Sequence, residues 1–242
     1  MNFLSKKLTL AFCALSVSHV YGGDFQVNEN SIIASENNSQ EWLSHGRTYD
    51  EQRFSDLNQI NAENIDRLGI KWFADLDSNR GHEATPIVSD GVMFTTGAWS
   101  VVYAHNALSG ELLWKFDPKV PKEKAYFVCC DVVNRGVAIW EGKIFFGTLD
   151  GRLVALDAKS GSLIWEKMTV NDSKPYSITG APRIIKDKVI IGNGGADFGV
   201  RGYVSAYDTD SGEMAWRFYT VPGNPDEGFE NSAMEMASKT WK

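Results

Sequence analysis

The sequence contains few cysteines and histidines, and both shortages restrict the chemistry of the chain. It has three cysteines among 242 residues, and none of them belongs to a Cys-x-x-Cys-His motif for covalent haem attachment. His45, His82 and His105 have none of the spacings that zinc sites use. The residues present therefore predict neither an attached haem nor a histidine-based metal centre.

Excess positive charge and long apolar runs are also missing. The formal net charge is −7 at pH 7, which argues against nucleic acid or an anionic membrane as a partner. Beyond the N-terminus, no apolar run is long enough to cross a bilayer, so we predict a mature chain without a transmembrane segment. The apolar run at 8–17 follows Lys6 and Lys7, an arrangement typical of a cleaved secretion signal. We therefore predict a signal peptide at 1–22 and a periplasmic location.

Two adjacent cysteines are the first candidate site. Removal of the signal takes Cys13 away, so Cys129 and Cys130 are the only cysteines of the mature chain. Neighbouring Cα atoms lie about 3.8 Å apart, less than an ordinary disulfide spans, so a bond between them would close a tight ring. Strained disulfides tend to be functional, and the oxidising compartment favours the bond. The alternative is two buried free thiols, since free cysteine is among the most buried residue types.

A motif of 11 residues occurs three times in the chain. The copies are AHNALSGELLW at 104–114, ALDAKSGSLIW at 155–165 and AYDTDSGEMAW at 206–216, each 51 residues after the one before. Each copy follows strand-forming residues around an Asp-Gly, Glu-Gly or Asp-Lys pair, the last being Asp187 and Lys188. A repeat of about 50 residues built from short strands is typical of a β-propeller blade.

The motif assigns roles to its residues. We expect each Ser-Gly pair to form a hairpin turn and each tryptophan to pack between neighbouring blades. The side chains of Asn106, Asp157 and Asp208 should accept hydrogen bonds from the local backbone. These residues predict the fold and carry no chemistry.

The repeated motif resembles the tryptophan-docking motif of pyrroloquinoline quinone (PQQ) enzymes. The N-terminal segment with Trp42, Arg53 and Trp72 is similar to that of the quinoprotein alcohol dehydrogenases, and CCDVVNRG, SITGAP and GNGGADFGVRGYVSAYD follow in the order of that family. The string VPGNPDEGFENSAMEMASKTW resembles the approach to a later blade in the quinohaemoprotein branch. The resemblance implies an all-β fold in which 41–242 forms about three blades of an eight-bladed propeller, preceded by a polar linker at 23–40.

The same resemblance implies a set of site residues. PQQ is a flat tricarboxylate with an ortho-quinone, so its site needs cations, flat surfaces and a Lewis acid. By resemblance, the Cys129–Cys130 disulfide forms one face of the slot, and Asp197 lies where the family places a calcium-ligating glutamate. The other implied cofactor contacts are Glu83, Val133, Arg135, Thr179, Gly195 and Ala196. Without the resemblance, Asp197 would be interpreted as a turn residue of a glycine-rich loop.

The implied function is oxidation of a small alcohol to its aldehyde by a periplasmic dehydrogenase that uses PQQ and Ca²⁺ and passes electrons to cytochrome c or a quinone. In the family, the catalytic base and further ligands come after the position that corresponds to Lys242, so no catalytic residue is predicted here. We expect the chain to be the N-terminal third of an enzyme, from an incomplete sequence or a truncated gene, with any haem c domain beyond residue 242. Two alternatives stay open: a non-enzymatic periplasmic propeller that acts as a scaffold, and a dehydrogenase of the same family for sugar or polymer alcohols.

Overall fold

The computed structural model describes residues 23–240, so the signal peptide predicted at 1–22 lies outside the described residues. Within 23–240, twelve short strands form three antiparallel sheets of four strands each. Strands pair in chain order inside every sheet, as in a propeller blade. The prediction of an all-β fold with about three blades is therefore confirmed.

We call the sheets blades 1, 2 and 3. Blade 1 contains β1 (Ile87–Ser89), β2 (Val92–Thr96), β3 (Val102–Asn106) and β4 (Leu112–Phe116). Blade 2 contains β5 (Ala138–Trp140), β6 (Lys143–Gly147), β7 (Arg152–Asp157) and β8 (Leu163–Met168). Blade 3 contains β9 (Arg183–Ile185), β10 (Lys188–Gly192), β11 (Tyr203–Asp208) and β12 (Met214–Tyr219). The helices are α1 (Glu29–Ile33) and α2 (Ser232–Ser238), and 3₁₀ turns lie at Ala34–Asn37, Ile65–Arg67, Ala98–Ser100, Lys122–Phe127, Ala196–Phe198 and Pro225–Glu227.

Two-residue turns join the first two strands of each blade. Both residues of the turns at 90–91, 141–142 and 186–187 have left-handed backbones, with φ between 44° and 75°. Such turns match the twist of the strands that they connect. The third turn begins one residue earlier than predicted, because Lys188 already belongs to β10 and pairs with Asp208 of β11.

The repeated motif adopts the same structure in each blade. Its alanine lies directly opposite its tryptophan across the last two strands, and a β-bulge follows the alanine; the pairs are Ala104–Trp114, Ala155–Trp165 and Ala206–Trp216. The motif's Asn or Asp accepts hydrogen bonds from backbone N–H groups of the turn, as predicted. The glycines of the Ser-Gly pairs have φ of 77°, 70° and 68°, a region that glycine enters without steric cost.

The tryptophans connect the blades. The Trp114 indole donates to the carbonyl of Ala158 at 3.0 Å and covers Gly161, so blade 1 docks on blade 2. In the same way, Trp165 donates to the carbonyl of Thr209 at 3.1 Å and docks blade 2 on blade 3. The predicted packing between blades is confirmed for these two residues. The third tryptophan, Trp216, is 46% exposed, and its indole makes no corresponding docking contact within 23–240.

Trp72 makes the same docking contact from outside the repeat. Its indole donates to the carbonyl of Ala107 at 3.1 Å and lies on Gly110, where an added Cβ would come within 2.6 Å of the ring. Its neighbours Ile70 and Phe73 are 87% and 78% exposed. The segment before blade 1 therefore docks on blade 1 through a tryptophan, as blade 1 docks on blade 2.

The segment at 23–40 does not behave as the predicted polar linker. Phe25, Val27 and Ile32 are buried in the main core, which runs through all three blades. The carbonyls of Phe25 and Val27 accept hydrogen bonds at 2.8 Å from the 141–142 turn. The apolar residues of this short segment alternate with polar ones and pack on the blades. The segment is therefore part of the folded core and not the linker that was predicted. No helix of 23–240 has the length and apolar character that a membrane span requires.

Candidate functional site

Arg135 lies at the centre of the candidate site. Its guanidinium forms an ion pair with Glu83, with Nη2 2.9 Å from Oε2, and donates from Nη1 to the Thr179 hydroxyl at 2.7 Å. The backbone N–H of Arg135 also donates to the carbonyl of Thr179 at 2.9 Å. The side chains of Arg135 and Glu83 remain 41% and 40% exposed. The result is a fixed, half-exposed cation.

The blade repeat explains why these three residues meet. Glu83, Arg135 and Thr179 each lie three or four residues before the first strand of their blade. Equivalent positions of neighbouring blades face the same end of the sheets, so the segments before β1, β5 and β9 lie side by side. The Thr85 N–H donates to the Arg135 carbonyl at 3.3 Å and continues this contact between blades.

The cysteine pair lies on the same segment as Arg135. A disulfide joins Cys129 and Cys130, and both residues are exposed, so the alternative of buried free thiols is wrong. Cys130 and the following Asp131 have left-handed backbones, with φ of 69° and 79°. The segment thus places an exposed disulfide five residues before Arg135.

Val133 does not reach the open surface. Its side chain is 1% exposed and packs beneath Gly81, where an added Cβ would lie 3.5 Å from Cγ1. The peptide between Val132 and Val133 is also fixed, because the Trp99 N–H donates to the Val132 carbonyl at 2.9 Å. Val133, which the resemblance implies as a cofactor contact, therefore packs behind the segment that carries the cysteine pair and Arg135.

The loop with Gly195, Ala196 and Asp197 lies beside the Thr179 segment. Gly194 and Ser177 exchange backbone hydrogen bonds at 2.7 and 3.3 Å, which attach the loop two residues before Thr179. Gly195 has φ of 108°, and a Cβ there would be 2.4 Å from the Pro175 carbonyl oxygen, so the position requires glycine. Ala196 and Asp197 are exposed.

The described residues fit an anionic flat ligand better than they fit a metal ion alone. Arg135 supplies a fixed positive charge and the disulfide supplies a surface, as a polycarboxylate ring requires. For calcium, Asp197 is an unpaired carboxylate within 23–240, and no group of three or more His, Cys, Asp or Glu residues there could hold a metal ion. Because Ca²⁺ takes six to eight oxygen ligands, these residues by themselves do not form its site.

Sequence reasoning missed one pair of residues. Arg80 donates from Nε to both carboxylate oxygens of Asp131, at 2.8 and 3.0 Å. The Arg80 guanidinium, helped by the Val132 N–H, holds the pKa of the Asp131 carboxyl well below its usual range. The only signal in the sequence is that Asp131 follows the cysteines; its partner lies 51 residues away.

Comparisons with known proteins identify the family of the chain. The family described as PQQ: glucose/ethanol/alcohol dehydrogenase, β-propeller domain, matches residues 42–242. The chain is 59% identical over 216 residues to quinohemoprotein alcohol dehydrogenase ADH IIB of Pseudomonas putida, covering 89% of this chain and 31% of that protein. It is 55% identical over 202 residues to a 1-butanol dehydrogenase (cytochrome c) of Thauera butanivorans, covering 83% and 29%.

A solved structure shows the same relation. The solved structure of quinohemoprotein alcohol dehydrogenase ADHIIG from Pseudomonas putida matches with a TM-score of 0.87 and 55% identity, covering 90% of this chain and 32% of that one. The chain thus spans about a third of the length of these relatives. Sequence match, fold and docking contacts agree, and the chain belongs to the family of PQQ-dependent glucose, ethanol and alcohol dehydrogenase β-propellers.

Proposed function

We propose that this chain contributes part of the PQQ site of a periplasmic dehydrogenase that oxidises small alcohols to aldehydes. The observation that carries the proposal is the Arg135 cluster, a cation held by Glu83 and Thr179 on the same segment as an exposed disulfide. The relatives named above are alcohol dehydrogenases, one of them acting with cytochrome c. Two electrons and two protons leave the alcohol, and cytochrome c or a quinone is the proposed acceptor of the electrons.

The residues of this chain would bind and orient the cofactor, and bound PQQ would supply the electron-accepting ortho-quinone. The Arg135 guanidinium has a planar fork of donors that suits a carboxylate, and two of its nitrogens are already held in place. The disulfide of Cys129 and Cys130 would cover one face of the ring. The backbone at Gly195 and Ala196 would approach the ring edge, since no side chain intervenes at Gly195.

The proposed activity predicts PQQ-dependent oxidation of alcohols by the protein as its cell makes it. Apoprotein incubated with PQQ and Ca²⁺ should reduce an artificial dye when given ethanol or 1-butanol, and should not when PQQ is withheld. Glucose and a polymer alcohol serve as alternative substrates. Turnover with glucose alone would replace the alcohol proposal by the sugar alternative, and a protein that neither binds PQQ nor turns over any of these would contradict the function.

Asp197 is proposed as one ligand of the metal ion that accompanies PQQ. Support comes from its exposed carboxylate, which has no partner in 23–240, next to the Thr179 segment. We expect Asp197→Ala to remove the calcium dependence of PQQ loading, and Asp197→Glu to retain or strengthen it, because both carboxylates offer oxygen ligands. The measurement is PQQ binding across a calcium titration. An alanine variant that titrates like the parent would show that Asp197 is only a turn residue.

A further inference from the structure

The bidentate ion pair of Arg80 and Asp131 directly follows the cysteine pair and has no role in the function described so far. The guanidinium of Arg80 donates to the Asp131 carboxylate from both Nε and Nη2. The same carboxylate accepts from the N–H groups of Val132 at 2.7 Å and Gly81 at 3.4 Å. Four nitrogen atoms thus donate to one carboxylate, and pairs of this geometry restrict orientation as well as distance.

The pair connects two segments that carry site residues. Asp131 follows Cys130 directly, and Arg80 precedes Glu83 by three residues. Glu83 in turn holds the Arg135 guanidinium, with 2.9 Å between Oε2 and Nη2. The chain from 131 to 135 is thereby fixed to the chain from 80 to 83 at both of its ends.

The backbone at the cysteine pair needs such a restraint. Cys130 and Asp131 have φ of 69° and 79°, a region that residues with a Cβ avoid. Left-handed backbone at two consecutive residues of this kind persists where surrounding contacts hold it. The hydrogen bonds to the Asp131 carboxylate are those contacts, and they lower the pKa of this carboxyl.

We infer that Arg80 and Asp131 are a positioning pair that sets the distance between the disulfide face of the slot and the Glu83–Arg135 cation. The inference rests on the proposed PQQ site and assigns these two residues no contact with the cofactor. Loss of either should leave the disulfide formed and the Glu83–Arg135 ion pair intact. The distance between the disulfide and this ion pair should then no longer be fixed.

The test compares PQQ affinity with thermal stability in the full-length apoprotein. We expect Arg80→Ala and Asp131→Asn each to raise the Kd for PQQ about tenfold, the usual cost of removing a residue that orients a ligand group. Arg80→Lys should recover part of the loss, since lysine keeps the charge without the planar fork. The double variant should lose no more than either single variant, because the two residues act through one contact.

The matched control is Lys167→Ala, which removes an exposed ion pair with Glu213 between blades 2 and 3. It should leave the Kd for PQQ unchanged. If the parent protein fails to bind PQQ, the proposed function is wrong. If the parent binds and Arg80→Ala binds equally well, the positioning inference is overturned while the function stands. The positioning inference would also be overturned if the loss of PQQ affinity were proportional to the fall in Tm in both Arg80→Lys and Arg80→Ala.

Discussion

Replacement of Arg135 by alanine should weaken PQQ binding about 100-fold. A hydrogen bond to a charged group contributes about 1.5–3 kcal/mol, and each 1.4 kcal/mol corresponds to a tenfold change in Kd. Arg135→Lys should cost less, about tenfold, because lysine retains the charge but cannot donate to Glu83, Thr179 and a carboxylate with one planar fork. Titration of the apoprotein with PQQ, followed by fluorescence, measures both variants.

The control for this prediction is Arg67→Ala. Arg67 is an exposed arginine in the 3₁₀ turn Ile65–Arg67, and its removal also lowers the net charge by one without touching the site. It should bind PQQ like the parent. Circular dichroism of Arg135→Ala checks that the fold survives the unpaired Glu83 carboxylate. A folded Arg135→Ala protein with parental affinity would refute the assignment of the cation.

The largest effect on stability is expected from Gly161→Ala. Gly161 has φ of 70°, and the added Cβ would come within 2.6 Å of Cδ2 of Trp114. The left-handed backbone alone costs a residue with a Cβ about 1–2 kcal/mol, and the ring cannot retreat without losing its hydrogen bond to Ala158. We therefore expect the free energy of unfolding to fall by about 3 kcal/mol.

Urea unfolding of the variant and of a second glycine variant measures this effect. Gly69→Ala is the control, because nothing lies within 4 Å of an added Cβ and its φ is not left-handed. It should change the free energy of unfolding by less than about 0.5 kcal/mol. Equal unfolding midpoints for the two variants would show that the docking of Trp114 on Gly161 contributes little to the contact between blades.

The blades could be predicted from the sequence because their information is local. Alanine opposite tryptophan, a capping Asn or Asp and a left-handed glycine all fall within 11 residues, and each copy repeats them. The third turn, predicted at 187–188 and found at 186–187, shows the limit of this reasoning. Without a glycine, Lys186 and Asp187 carry no signal that separates the turn from the start of β10.

The polar contacts between blades could not be predicted in this way. Arg80 and Asp131 are 51 residues apart, and Glu83 meets Arg135 through the lateral packing of segments that precede different sheets. The carbonyl of Phe25 accepts a hydrogen bond from a hairpin turn of blade 2. Such contacts depend on how the blades are placed side by side, and short sequence segments carry no information about that placement. The resemblance to a family supplied the site residues where local patterns did not.

The docking tryptophans make each contact between blades directional. Trp114 and Trp165 both project from the blade that comes first in the chain onto the glycine turn of the blade that follows. Contacts of this kind are heterologous, since the two surfaces that meet are different. Two exposed Trp216 faces are therefore not complementary to each other, and a two-fold symmetric dimer cannot form by pairing them through this contact. Any surface that accepts Trp216 by this contact must instead present a left-handed glycine and a free carbonyl.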